Sequence, residues 1–306
     1  MAIFILRRIA QGLLVILGVS LVVFVATRLI GDPVKVMLPL SATDTQRAAF
    51  EHQLGLDLSL PRQLVDYVGS LIRFDFGDSL WQRRPAMEVV FERLPNTLLL
   101  ITCSLGCAIM LALPLGAIAA LRPGGIADRV TVFGGLFGLS LPQFWLGLLL
   151  ILVFAVIFKV LPTSGGGSLA HYVLPAVTLG IPSLARLMML ARSSMIDELN
   201  QQYIRTARAK GLDFRQVMIG HALRNILSAF ITLAGWEFIS GLAGYTVVVE
   251  TVFAWPGLGL TALQAIQRSD LFLLQAIVFT VAVLIVAINV GLDVAQKLID
   301  PRINLA

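Results

Sequence analysis

Arg186 and Glu237 are the residues best placed to do chemistry, because each stands inside a run that is otherwise largely apolar. A charge near the middle of a bilayer costs about 2.5–3.5 kcal/mol on insertion scales, so it generally faces a cavity or a partner. Arg186 lies 14 residues beyond Tyr172, where its run begins, and Glu237 lies 11 residues beyond Ile226, where its own begins. At about 1.5 Å per helical residue, both approach the mid-plane. Two roles fit their opposite signs: lining or gating a polar path, or forming a structural ion pair between helices. Glu250 follows at the end of the second run, close to the turn residues Pro256 and Gly257. There an outer gate, a contact with an external protein and the capping of local structure all fit.

Enzymatic chemistry has no foothold. No G-x-x-x-x-G-K-[ST] occurs, and Gly is never followed by Lys, so the usual phosphate cradle is missing. His52, His171 and His221 are far apart in sequence, and neither H-E-x-x-H nor G-x-S-x-G is present. Cys103 and Cys107 are four apart in an apolar run, on one helical face, and read as small packing residues. A metal site would need further ligands. The chain is read as a non-enzyme that binds neither metal nor cofactor itself.

The elements that must carry Arg186 and Glu237 follow from composition. Of 306 residues, 58% are hydrophobic and 13% charged, against about 25% charged in a typical soluble domain. The apolar surface must face lipid, and the net charge of +5 suits membrane orientation better than nucleic-acid binding. A spanning helix needs about 20 apolar residues. Six stretches meet or approach this: 9–30, 98–121, 130–158, 172–191, 226–249 and 271–292. The fold class is therefore an all-α integral membrane protein with six transmembrane helices. Pro142 lies inside the third stretch and Pro175 and Pro182 inside the fourth, tolerable where neighbouring helices cover the freed carbonyls. The first stretch is longer than a signal-peptide core and lacks a clear cleavage site, so it is read as a retained span.

Basic residues set the orientation. Arg7 and Arg8 precede the first span, Arg122 and Arg129 flank the turn after the second, and Arg192, Arg205, Arg208, Lys210, Arg215 and Arg224 crowd 192–225. Lys297 and Arg302 close the chain. With six spans all four groups fall on one side, the cytoplasmic one, together with both termini. The opposite side receives the long segment 31–96, with seven Lys/Arg and nine Asp/Glu, in which 45–54 and 61–73 show helical spacing of apolar residues. No internal repeat or linker divides the chain, which is read as one domain over 1–306.

Within 192–225, the run Tyr203, Ile204, Arg205, Thr206, Ala207, Arg208, Ala209, Lys210 favours helix, and Gly211 is suited to end it in αL geometry. Ala207 and Gly211 are four apart, so one face is small. Two readings fit: a short helix that enters a groove on a cytoplasmic partner, and a solvated basic loop.

The run from Tyr203 to Asn225, with His221-Ala222-Leu223-Arg224-Asn225 at its end, resembles the ATPase-docking loop of binding-protein-dependent ABC importer permeases. The resemblance is narrower still, to the first-permease type of the dipeptide/oligopeptide/nickel family. The family's Glu-Ala-Ala…Gly pattern falls on Arg205, Thr206, Ala207 and Gly211. Similar in order and spacing are Arg7-Arg8, Gly31-Asp32-Pro33, Leu54-Gly55-Leu56-Asp57, Phe74-Asp75-Phe76-Gly77-Asp78-Ser79 and Leu94-Pro95-Asn96-Thr97-Leu98. So are Val249-Glu250-Thr251-Val252-Phe253, Trp255-Pro256-Gly257-Leu258-Gly259 and Ile299-Asp300-Pro301-Arg302. Two positions depart: Ala229 replaces a common proline, and Ser269-Asp270-Leu271-Phe272 replaces the usual Arg-Asp-Tyr-Pro.

The resemblance implies a type I ABC importer permease fold with a long external segment between the first two helices. It implies a second homologous permease subunit, two cytoplasmic ATPases that hold ATP and Mg, and a periplasmic or lipid-anchored solute-binding protein. It places the complex in a bacterial inner membrane, with residues 203–211 as the ATPase-coupling helix. The solute it implies is a di- or oligopeptide, or in some relatives nickel or a metal–chelator complex. The rivals are a stand-alone secondary transporter, which often shows inverted repeats and more spans, and a non-transporting scaffold, which would not need mid-membrane charges.

Overall fold

The computed structural model describes residues 2–30, 34, 38 and 42–299. Gly31-Asp32-Pro33, Asp300-Pro301-Arg302 and the side chain of Arg28 lie outside the described residues. Among the described residues, regular structure is helical apart from one isolated bridge between Asp78 and Pro85. Among the described residues, five helices are long and apolar enough to cross a membrane, and one bent pair makes up to six.

The chain divides into two compact units, 1–97 with 256–287 and 98–255 with 288–306. Helix α1 (Ala2–Ile30) belongs to the first unit. Helices α2 (Asp44–Gln53) and α3 (Leu60–Arg73) fill the two windows where apolar spacing predicts helix. Thr43 starts α2 through a capping box with Gln46, which satisfies two orphan backbone donors at once. Pro61 suits the first turn of α3, where a missing N–H costs nothing, and Phe74 ends that helix in αL geometry. Helix α4 (Ala86–Ala120) begins within the segment 31–96 and runs on into the second unit. The core of the first unit joins Phe24, Tyr67, Leu71, Phe76, Val89, Leu273, Ile277 and Phe279. Its ring pairs are Phe24–Tyr67 at 5.3 Å and Phe76–Phe279 at 5.2 Å.

In the second unit, the stretch 130–158 is not one straight helix. It forms α5 (Ile126–Ser140) and α6 (Gln143–Leu150), the latter continued by π-helical turns over Ile151–Ile157, with a bend of 102° between the two halves. Pro142 explains the break: it lacks an amide hydrogen and drives Leu141 out of the helical region, to ψ 126°. Pro175 and Pro182, by contrast, lie inside an unbroken helix, α7 (Leu169–Leu199). Gly180 lies between them. A Cβ there would stand 3.0 Å from Ser104 Oγ, and Ser104 donates a 2.8 Å hydrogen bond to the Ala176 carbonyl. Such a polar crossing through a small residue is how spans associate without a hydrophobic drive.

After α7 come α8 (Gln202–Ala209), π-helical turns over Gln216–Leu223, and α9 (Arg224–Ser240). Further π turns at Gly241–Tyr245 lead into α10 (Thr246–Val252), so 216–252 forms one continuous helical run. In the first unit, α11 (Leu258–Gln267) precedes α12 (Leu271–Ile299), whose C-terminal part belongs to the second unit. Nothing in the span count anticipates α11, because ten residues are too few to register as a crossing.

Candidate functional site

Arg186 on α7 and Glu237 on α9 meet. Arg186 donates from Nε to Glu237 Oε1 at 2.5 Å and from Nη2 to Oε2 at 2.7 Å. Ser183, one turn before Arg186, donates to the same Oε2 at 2.7 Å. The Glu237 side chain is 3% exposed and that of Arg186 30%. The Arg186 guanidinium also lies 5.8 Å from the centroid of the Tyr245 ring. Three charge-assisted donors on one carboxylate satisfy a group that would otherwise be very costly to bury. The pair is thus asymmetric, with the acid enclosed and the base partly reachable.

A second ion pair has the same form and was not foreseen. Arg192 on α7 donates from Nε to Asp128 Oδ1, and from Nη2 to Oδ2 at 2.9 Å. Oδ2 also accepts the Gly124 amide at 2.7 Å. Asp128 is in the first turn of α5, where a negative charge opposes the positive helix terminus. This acid-in-first-turn signal is present in the sequence, but it does not name the partner 64 residues away.

Residues 203–211 form α8 and its C-terminal turn. Gly211 takes φ +82°, and its amide bonds the Arg208 carbonyl at 3.0 Å, while Leu212 closes back on Ala207. Ile204 and Ala207 are buried with Met195, Val217, Ala222 and Ile226. Ala207 therefore faces this chain's own core, and Gly211, beyond the end of the helix, shares no face with it. The exposed side consists of Gln202, Tyr203, Arg205, Thr206, Arg208, Ala209 and Lys210. At the helix start, the Tyr203 hydroxyl donates to Glu198 Oε2 and accepts from Asn225 Nδ2 at 2.8 Å. Burial, followed by the hydrogen bond to the Glu198 carboxylate, pushes the Tyr203 hydroxyl up to about 12.

Glu250, on α10, is fully buried, and its carbonyl accepts the Trp255 amide at 2.8 Å. Trp255 is buried edge-on to Tyr172, with centroids 4.4 Å apart. In the first unit, Pro256 offers its carbonyl to Asn96 Nδ2 at 2.8 Å, and Gly257 is the N-cap of α11. Thr97 Oγ1 accepts the Leu258 amide at 2.8 Å. The motifs Leu94-Pro95-Asn96-Thr97 and Trp255-Pro256-Gly257-Leu258 are thus joined through side-chain caps.

Asp270, in the segment that departs from the family pattern, is 1% exposed. Its Oδ2 accepts Ser79 Oγ at 2.5 Å and the Trp81 amide at 3.1 Å, and its Oδ1 accepts the Leu273 amide at 3.2 Å. The Arg268 guanidinium stacks 4.4 Å from the centroid of the Trp81 ring. Asp270 both caps α12 and anchors the loop that begins Phe74-Asp75-Phe76-Gly77-Asp78-Ser79. Among the described residues, no group of three or more His, Cys, Asp and Glu could hold a metal ion.

The family described as "Binding-protein-dependent transport system inner membrane component" matches residues 112–305. The oligopeptide transport system permease protein AppB of Bacillus subtilis is 36% identical over 99% of this chain and 100% of its own length. The dipeptide transport system permease protein DppB of Escherichia coli K12 is 34% identical over 98% of both chains. The glutathione transport system permease protein GsiC of Salmonella choleraesuis is 35% identical, also over 98% of both. Among solved structures, an inward-facing form of the MetNI methionine ABC transporter matches with a TM-score of 0.57. It shares 20% identity and covers 70% of this chain and 97% of that one, a likeness of fold. Nucleotide chemistry in such systems belongs to separate ATPase subunits, in keeping with the missing phosphate loop. The chain belongs to the binding-protein-dependent transport system inner membrane components, as a multi-pass inner-membrane permease subunit of an ABC importer that works with ATPase and binding-protein partners.

Proposed function

We propose that this permease imports di- or oligopeptides, paired with a second, homologous permease subunit and driven by two cytoplasmic ATPases. The observation that carries the solute class is full-length likeness, at 34–36% identity, to permeases named for oligopeptide and dipeptide transport. The glutathione permease at 35% fits the same class, since glutathione is itself a tripeptide. Both termini lie on the cytoplasmic side in this reading, which rests on the basic groups around Arg7, Arg122 and 192–225.

The exposed basic side of α8 is the ATPase contact, with Arg205, Thr206, Arg208, Ala209 and Lys210 on it and Tyr203, Ala207 and Gly211 holding its position. ATPase closure moves α8, and the spans rearrange to open the path alternately to the two sides. Arg186 and Glu237 line that path, the partly exposed guanidinium of Arg186 towards it. Glu250, Pro256 and Gly257 belong to the outer end, where the full burial of Glu250 suits a gate rather than a surface contact.

The test is reconstitution of the complete importer in proteoliposomes with its cognate binding protein. ATP-dependent uptake of a labelled dipeptide or oligopeptide, competed by unlabelled peptide, is the expected result. Uptake of nickel or a nickel–chelator complex, with no peptide competition, overturns the solute class while leaving the family assignment intact.

A further inference from the structure

We propose that Glu198, Tyr203 and Asn225 form a clamp that locks α8 to the helices on both sides of it, so that motion at the ATPase reaches α7 and α9 together. The proposal rests on the reading of α8 as the ATPase contact.

Helix α8 has eight residues, and so short a helix has little stability of its own in water. Its N-cap, Gln201, makes no side-chain capping bond, and no acid stands in its first turn. Its position must come from tertiary contacts. Ile204 and Ala207 supply apolar burial, but such burial is non-directional and by itself resists sliding or rotation weakly. The directional element is the Tyr203 hydroxyl. It donates to the carboxylate of Glu198, in the last turn of α7, and accepts from the amide of Asn225, in the first turn of α9. Asn225 Nδ2 also lies 3.4 Å from Glu198 Oε2, across a separation of 27 residues. One hydroxyl thus uses its donor and an acceptor site to join three helices, and the bond to a carboxylate is of the stronger, charge-assisted kind.

The remaining polar residues of the helix differ. Among the described residues, Arg205, Arg208 and Lys210 are exposed and engaged in no ion pair, which leaves them for an acidic partner. The helix thus has an exposed basic side and, at its solvent-exposed start, a hydrogen-bonded pin to both flanking helices. Tyr203 is a positioning residue: it acts by making α8 move as one body with its flanks.

The experiment uses the complete importer in proteoliposomes and measures solute taken up per ATP hydrolysed, with co-purified ATPase per permease as a second readout. Tyr203→Phe removes the hydroxyl alone. It is expected to keep the ATPase bound and lower the uptake-to-hydrolysis ratio by about fivefold, the weight of one lost hydrogen bond. Asn225→Ala should do the same, and the double variant should be no worse than either single one, since all three disable one clamp. An unchanged ratio in Tyr203→Phe overturns the clamp, and so does loss of the ATPase from that variant, which would make Tyr203 a docking or folding residue. The double variant Arg205→Glu, Arg208→Glu separates the two readings. If it leaves the ATPase bound as in wild type, the docking assignment of α8 fails, whatever Tyr203→Phe does.

Discussion

Arg192 closes a bidentate ion pair on Asp128, joining the C-terminal half of α7 to the first turn of α5. Asp128 is 4% exposed and also accepts the Gly124 amide, so it fixes the turn before α5 as well as the helix behind it. Removing one partner of such a pair strands the other charge, which is destabilising. Asp128→Ala should therefore lower the melting temperature of the detergent-solubilised permease by several degrees in a scanning-fluorimetry measurement. Asp128→Ala combined with Arg192→Met, which leaves no orphan charge, should recover most of that loss. A double variant no more stable than Asp128→Ala would mean that the Gly124 contact dominates.

The Arg186–Glu237 pair calls for a different test, because path lining and structural pairing make opposite forecasts for the swapped arrangement. Arg186→Glu and Glu237→Arg alone should each abolish ATP-dependent uptake, since each places two like charges beside one another. The double swap restores the attraction but reverses which charge is enclosed and which is reachable. Restored folding yield with uptake still below a tenth of wild type is the expected outcome for a path residue. Full restoration of both would make the pair purely structural.

Much of this architecture is legible in the sequence, and the unreadable parts share a cause. Hydropathy places the spans because burial in lipid demands long apolar runs. Pro142 reads in the sequence as tolerable within one span, whereas it breaks that span by 102°, an outcome that depends on what surrounds the two halves. The spacing of Ala207 and Gly211 promises a small outward face. The helix ends at Ala209, however, and the amphipathic pattern that buries Ile204 turns Ala207 inward with it. Asp128–Arg192 and Ser79–Asp270 bridge 64 and 191 residues. Residue type tells that such groups need partners, but only the fold tells which. The family motifs around Asn96 and Pro256 are likewise visible as words, while the role of Thr97 in capping the start of α11 appears only once the chain is folded.

Close helix crossing in the second unit makes a sharp forecast at two glycines of one helix. A Cβ on Gly116 would lie 2.7 Å from both Ala191 Cβ and the Met188 carbonyl oxygen, with backbone unable to yield cheaply. Gly116→Ala should destabilise by about 1–3 kcal/mol. A Cβ on Gly106 meets nothing within 4 Å, so Gly106→Ala should be neutral or stabilise by up to about 1 kcal/mol through helix propensity. Thermal unfolding of the two variants side by side checks the pair of signs.

Asp270 holds the loop over residues 79–81 through Ser79 Oγ and the Trp81 amide. In Asp270→Ala both donors lose their acceptor, and the N-terminus of α12 loses its bond at Leu273. A buried donor left unsatisfied costs about 1–3 kcal/mol. The loop should open more often, and tryptic cleavage after the exposed Arg83 should speed up by roughly tenfold. An unchanged cleavage rate would show that the stacking of Arg268 on Trp81 is enough to hold the loop.

Tyr203 offers a forecast in pH. Its hydroxyl is held up at about 12, against an ordinary value of 10.0, by burial and by the Glu198 carboxylate. The raised group favours the protonated, folded arrangement, so its contribution is complete below pH 10 and is lost as pH rises from 10 towards 12. Across pH 6 to 9 the clamp should therefore be intact, and the uptake-to-hydrolysis ratio should carry no tyrosine titration. In a 295 nm titration of the folded permease, one of its four tyrosines should ionise near pH 12. Glu198→Gln removes the negative charge while keeping an acceptor, so the same tyrosine should then ionise at lower pH. If Tyr203→Phe leaves the high-pH step in place, that step belongs to another tyrosine, and the clamp hydroxyl is not held as the geometry requires.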